Sequence, residues 1–232
     1  MTSSLWFVTP AWQRYELSAV CFDQRVAVID ALRAAEVDAN CVIVADDDNL
    51  DLARERGFAV VERDNEYLGR RFNDGIEYAA RQGATRIVPI GSDSWIDPAY
   101  LLPLPPKTTF RTSSRYCVVT QDRLAELDVS DVNGVGPYVI NRHMLRNGHF
   151  RPAQDTLKHG IDRSTMKGVR HRITQRRDLH PYQYVGFRGT PHMTTYEGLV
   201  ATWKAVERTD PWSILAQHYP EGLVARARKA LS

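Results

Sequence analysis

The chain has little cysteine and no long apolar run. Its three cysteines, Cys21, Cys41 and Cys117, are odd in number and far apart, which fits neither a disulfide framework nor a zinc-ligand pair. No stretch approaches the roughly 20 apolar residues that a bilayer span needs, and the opening Met1-Thr2-Ser3-Ser4-Leu5-Trp6-Phe7-Val8 has no basic n-region. A reducing, cytoplasmic location is the expectation. Internal repeats and low-complexity tracts are also lacking, and 43% hydrophobic residues with ordinary Gly and Pro content exclude disordered and fibrous classes. At 232 residues the length suits one large domain or a domain with a small appendage.

Strong net charge is absent too, with 30 basic against 28 acidic side chains, but the balance is uneven along the chain. Residues 1–130 carry 14 basic and 20 acidic groups, whereas residues 131–232 carry 16 and 8. A polyanionic partner is therefore expected at the second half.

What is present reads first as alternating strand and helix. Leu5–Val8, stopped by Thr9-Pro10, and Cys41–Ala45, stopped by Asp46-Asp47-Asp48, are short apolar runs of the kind that form buried strands. Between them Val20, Val26, Val28, Ile29, Leu32 and Ala35 recur near helical spacing, predicting a helix of about 15 residues. A short helix over 50–56 ended by Gly57, a strand over 59–62, a helix from about Arg70 to Arg81 with Gly83 as its stop, and a strand over 86–90 follow. The fold class is α/β, with a mostly parallel sheet flanked by helices. Ligands of such sheets bind at the C-terminal strand ends, here after Val8, Ala45, Glu62 and Ile90. Beyond Leu101 the texture becomes α+β: strands are expected at 116–119 and 135–140, helical spacing in Leu199, Trp203 and Val206, and a terminal helix over 221–231.

Two acidic features sit at those strand ends. The strand 87–90 runs directly into Gly91-Ser92-Asp93, and a strand-end carboxylate can link a hard divalent cation to substrate phosphates or cap the next element. Asp46-Asp47-Asp48 repel one another unless a donor-rich group lies nearby, such as a nucleotide's base or ribose; Asp48 or Asn49 also suits the cap of the helix that follows.

Together these features resemble the glycosyltransferase A fold, in particular family-2-like enzymes that use nucleotide sugars. The order of motifs carries the resemblance. The first strand with Thr9-Pro10-Ala11, then Asp46-Asp47, then Gly69-Arg70-Arg71-Phe72-Asn73, then Gly91-Ser92-Asp93 in the place of a DxD motif follow one another as in that family. Gly91 stands where the first DxD carboxylate is usual. The resemblance implies a nucleotide-sugar donor, a UDP-sugar first, bound by Thr9, Pro10, Ala11, Arg14, Asp46, Asp47, Arg70, Arg71, Asn73, Ser92 and Arg188. It also implies a divalent metal, Mn²⁺ or Mg²⁺, on Asp93, with His192 as a further ligand. His159-Gly160-Ile161-Asp162 is similar to the family's segment bearing the general base of inverting enzymes, which makes Asp162 the expected base and Asp155 its runner-up. By the same resemblance, residues 1–102 are the nucleotide-sugar half, 103–195 the acceptor-binding and catalytic half, and 196–232 a C-terminal helical tail.

For the acceptor the charge split is the only guide. Arg163, Lys167, Arg170, Arg172, Arg176 and Arg177 face Asp178 alone over residues 163–180, enough basic side chains to neutralise several phosphates. The favoured acceptor is a hydroxymethylated pyrimidine in DNA, as in phage-type enzymes; a protein or glycan acceptor, or a non-catalytic nucleic-acid-binding module on a degenerate fold, are the alternatives. A nucleotidyltransferase is disfavoured because Thr9-Pro10-Ala11-Trp12-Gln13-Arg14 is not glycine-rich.

Overall fold

The computed structural model describes residues 4–102, 110–113, 115–129, 138–141, 151–158, 175–177, 180–189 and 195–232. Its first part is the expected alternation: β1 (Ser4–Pro10), α1 (Tyr15–Ala34), β2 (Asp38–Ala45), α2 (Asn49–Glu55), β3 (Ala59–Glu62), α3 (Leu68–Arg81) and β4 (Arg86–Pro89). The four strands are mutually parallel in the order β3-β2-β1-β4. Beyond β4 the sheet continues through antiparallel β9 (Tyr138–Asn141), then β6 (Phe110–Ser113) and β10 (Gln175–Arg177).

Period-two alternation builds the two faces of this sheet. Leu5, Phe7, Cys41, Ile43 and Ala45 point to one side and pack under α1 and α2 with Phe22, Ile29, Leu32 and Ala53. Trp6, Val8 and Val42 point to the other and meet Ile76 and Ala79 of α3. Gly57 and Gly83, the two expected helix stops, adopt φ of 69° and 87°, the left-handed backbone that glycine takes without strain.

The second sheet has the order β12-β8-β7-β11-β5, from β5 (Ser94–Ile96), β7 (Arg115–Val119), β8 (Leu124–Asp128), β11 (Tyr184–Phe187) and β12 (Lys204–Arg208). Three of its four pairings are antiparallel, matching the expected α+β texture. Helix α1 lies between the sheets: Leu17, Val20 and Cys21 join Trp95, Cys117, Val185 and Phe187, together with Trp212, Leu215 and Tyr219 from the chain's last 22 residues. That double burial explains why α1 is 20 residues long, longer than its apolar spacing suggested. The C-terminal helix Glu221–Leu231 packs on α1, and Arg226 pairs with Asp23.

Three local readings need correction. β1 runs through Pro10, two residues past its expected end; β4 stops pairing at Val8, so Pro10's missing N–H costs no bond on that side. Ser94–Ile96, to which no strand was assigned, forms β5 against β11. Val206, read as part of a helical stripe, lies in β12 opposite Glu126 and is 52% exposed; the helix ends at Thr202 and leaves Trp203 as its C-cap.

α3 approaches the sheet at Gly75, where a Cβ would fall 2.5 Å from Val8 Cγ1 and 3.0 Å from Val44 Cγ2. In an open helix Gly→Ala gains about 1 kcal/mol, but overpacking costs about 1–3 kcal/mol. Gly75→Ala should therefore destabilise the protein by up to about 2 kcal/mol, the difference of those two effects, read as a lower urea midpoint at unchanged m-value. A midpoint that rises would show that α3 can move off the sheet.

Candidate active site

The loop after β1 is held in an unusual shape. Gln13 and Arg14 both adopt left-handed φ, 51° and 49°, at a cost of roughly 1–2 kcal/mol each. Asp47 offsets this: its Oδ2 accepts from Gln13 N at 2.9 Å, and its Oδ1 accepts from Asn49 N at 3.0 Å and Asn49 Nδ2 at 2.8 Å. Asn49 Nδ2 also lies 3.3 Å from Gln13 O. Asp47 therefore fixes the first loop and starts α2 at once. Asp48 occupies the N-cap position but makes no side-chain cap bond, because its neighbour already satisfies the helix start. Asp46 Oδ2 accepts from Asn65 N at 3.0 Å, which ties the end of β2 to the loop after β3.

Arg71 braces the same loops from below. It is 1% exposed, donates Nη2 to Ala11 O and to Val44 O, the latter at 2.7 Å, and donates Nη1 to Asn65 Oδ1. Burial pulls its pKa down, while Asp46, Asp47 and Asp64 push it up. Thr9, Pro10 and Ala11 are buried in or against the strand, so a ligand at this edge meets the loop from Trp12 onward, where Trp12 and Tyr15 are exposed.

Asp93 stands where β4 gives way to β5. Its Oδ2 receives Arg14 Nη1 and Nη2 at 3.4 Å and Arg188 Nη1 at 3.3 Å, and its Oδ1 accepts from Ser94 Oγ at 3.1 Å. Asp93 O accepts from Phe187 N at 2.8 Å, and Arg188 N donates to Val119 O at 2.7 Å, so three strands of the second sheet fix the cluster. The Arg188 guanidinium lies on the Gly186 backbone, where a Cβ would be 3.0 Å from Nη1. Ser92 is buried beside Asp93.

The start of α3 faces a different partner. Gly69 N donates to Leu157 O at 2.9 Å and Arg70 N to Asp155 O at 3.1 Å; a Cβ at Gly69 would sit 2.0 Å from Gln154 O. Asn73, fully buried, donates Nδ2 to Ala153 O and Asp155 Oδ1, both at 2.7 Å. Arg151 then joins Asp155 Oδ1 at 2.9 Å to Asp74 at 2.7 Å and Glu77 at 3.0 Å. The Gly-Arg-Asn motif thus seats the 151–158 segment, with the Arg70 guanidinium over the Tyr67 ring at 5.2 Å.

Asp46, Asp47, Arg14, Asp93 and Arg188 are thus gathered at the C-terminal strand ends, while Arg71 and Asn73 lie beneath and beside them. Asp162, His192, Arg163, Lys167, Arg170 and Arg172 lie outside the described residues; Arg176 and Arg177 lie in β10 at the edge of the first sheet. Among the described residues no cluster of three or more His, Cys, Asp or Glu is arranged to hold a metal. Gly91 supplies no carboxylate, and a Cβ there would be 2.4 Å from Asp93 Oδ1. Among the described residues the donor set is one carboxylate carrying two guanidiniums, which does not fit a divalent ion. The cysteines are free and buried, and burial raises all three thiol pKa values, Cys41 to about 12, which leaves them unreactive.

Sequence reasoning missed Arg25. It is 2% exposed on α1, donates Nη2 to Ser94 O at 3.2 Å and lies over the Phe7 ring at 4.7 Å. A basic residue on the buried stripe of a helix was the only signal.

The architecture is shared with S. aureus TarS. Its residues 1–349 bound to UDP align with TM-score 0.60 at 12% identity, covering 82% of this chain and 61% of that one. A second structure of the same TarS fragment gives 0.53 at 11%, covering 99% and 71%. This is a glycosyltransferase A fold. The chain spans 61% of the UDP-bound TarS fragment's length. A Drosophila β1,4-galactosyltransferase 7 mutant with manganese, UDP-Gal and xylobiose aligns at 0.41 and 12%, over 65% and 52% of the two chains. No protein-family model matches the sequence, and neither does any curated protein.

Within this glycosyltransferase A fold Asp155 marks an acid-sensitive joint. Partial burial works against its charge, but the bonds from Asn73 and Arg151 prevail and hold its carboxyl below the usual range. A depressed folded-state pKa contributes stability above the unfolded value, roughly pH 4, which is lost as pH falls through the folded value. Between about pH 5 and 2 the wild type should therefore lose more Tm than Asp155→Asn does; parallel Tm–pH curves would show that the bond contributes nothing.

Proposed function

We propose that the chain is a nucleotide-sugar-dependent glycosyltransferase. The single observation that carries this is the position of the Arg14–Asp93–Arg188 cluster, at the C-terminal end of the fourth strand in a glycosyltransferase A fold. Cations held there suit a nucleoside diphosphate leaving group, and the loops tied by Asp46, Asp47 and Arg71 suit its base and ribose. In the reaction an acceptor hydroxyl attacks the anomeric carbon. The bond from that carbon to the diphosphate oxygen breaks, and the diphosphate leaves with the electron pair. The hydroxyl proton passes to a carboxylate, and the configuration inverts.

Asp162 is the proposed base, on the strength of its motif alone. Asp155 is the weaker candidate, because Asn73 and Arg151 already occupy Oδ1 and hold its carboxyl low. Asp162→Asn should reduce transfer by about 10²-fold or more with donor affinity unchanged; full activity in that variant would remove Asp162 from the mechanism.

DNA bearing 5-hydroxymethylpyrimidine is the proposed acceptor, supported by the six basic residues between 163 and 177. The test is release of nucleoside diphosphate from a panel of UDP-, GDP- and TDP-sugars, with and without that DNA, at rising salt. Release stimulated by the DNA and falling steeply with salt is expected. Release that the DNA does not alter would redirect the search to protein or glycan acceptors, and silence across the panel would contradict the transferase reading.

A further inference from the structure

The charge count around Asp93 is unbalanced. Three guanidiniums converge on residues 93–94: Arg14 and Arg188 on the Asp93 carboxylate, and Arg25 on Ser94 O from behind. Among the described residues Asp93 is the one carboxylate paired with any of them. Burial depresses the Arg25 pKa, and among the described residues no acid pairs with it, while its Nη1 and the Nε of Arg188 are buried with no hydrogen-bond partner among those residues. Like charges gathered in a low-dielectric place repel one another, and an anion relieves that cost.

The geometry also shows what Asp93 is doing. Contacts of 3.3–3.4 Å are longer than the roughly 2.7–2.9 Å of a tight charge-assisted bond, so the carboxylate orients both guanidiniums without saturating them. A divalent ion needs a carboxylate oxygen at about 2.0–2.6 Å, and Oδ2 is already shared by two cations. Gly91 adds no second carboxylate. Both arginines are fixed in place: Arg188 by the Gly186 backbone beneath it and by its bond to Phe187 O at 2.9 Å, Arg14 by the left-handed turn that Asp47 holds. Side-chain exposure is 22% for Arg14 and 15% for Arg188, which leaves an open approach on the Arg14 side.

We propose that Arg14 and Arg188 bind the donor's diphosphate directly in place of a divalent metal, with Asp93 as the positioning residue that holds them. This rests on the transferase reading above. The negative charge that builds on the diphosphate as its bond to the sugar breaks is met by the two guanidiniums, which are already oriented and need no reorganisation.

Calorimetric titration of the full chain with UDP, GDP and dTDP, in EDTA and then in excess Mn²⁺, tests the proposal. At least one diphosphate should bind in EDTA with a Kd that Mn²⁺ changes by no more than about twofold. Arg14→Met and Arg188→Lys should each weaken it by about tenfold or more, with the matching nucleoside unaffected. Arg188→Lys keeps the stem and charge over Gly186, so a normal melting curve is expected to accompany the loss. Asp93→Asn removes the carboxylate that orients both guanidiniums and should weaken diphosphate binding in EDTA by a similar factor. An affinity that rises tenfold or more with Mn²⁺ and loses that gain in Asp93→Asn overturns the metal-free clamp while leaving the transferase reading intact. Absence of binding by all three diphosphates in both conditions overturns both.

Discussion

A carboxylate placed where one sheet ends and another begins has to be neutralised where it stands, and the structure around Asp93 is arranged to do that. β4 belongs to the parallel sheet and β5 to the second one, with three residues of backbone between Ile90 and Ser94. Asp93 therefore couples the sheets through its carbonyl, which receives Phe187 N, and through its carboxylate, which receives Arg14 from the first sheet's edge and Arg188 from the second. Removing that charge takes away the ion pairs that join the loop after β1 to the loop after β11.

The supporting parts have the same logic. Arg14 points toward Asp93 from a backbone conformation that L-residues avoid, and strain of that kind persists only where the surroundings fix it. Asp47 fixes it from the β2 end, and Arg71 supports both strand ends through the carbonyls of Ala11 and Val44. Asp47 and Arg71 thus hold the loop that carries Arg14.

Much of this was legible in the sequence. β3 and the C-terminal helix fall on their expected residues, and β1 to β4 with the intervening helices follow from apolar periodicity, since both faces of that sheet are covered. The clustering of Asp46, Asp47, Arg14 and Asp93 follows from the rule that parallel strands present their C-terminal ends together, whereas Arg188 comes from the second sheet and was expected from the resemblance alone. What escaped depends on long-range contact. β5 is three residues long and is strand only because β11 lies beside it. Arg71 and Asn73, read as donor ligands, are turned inward by carbonyls that the sequence does not place: Ala11 and Val44 for one, Ala153 for the other. Buried Arg25 gave no signal beyond its place on an apolar helical stripe, because its partner, Ser94 O, is 69 residues away.

The account's central claim is that this edge of the glycosyltransferase A fold receives a nucleoside diphosphate on two arginines. A crystal structure of the chain grown with UDP in EDTA tests it most directly. The account predicts phosphate oxygens within hydrogen-bond distance of both Arg14 and Arg188, with Asp93 still touching the two guanidiniums. A nucleotide bound away from the strand ends, or a diphosphate at those ends that touches neither arginine, would contradict it.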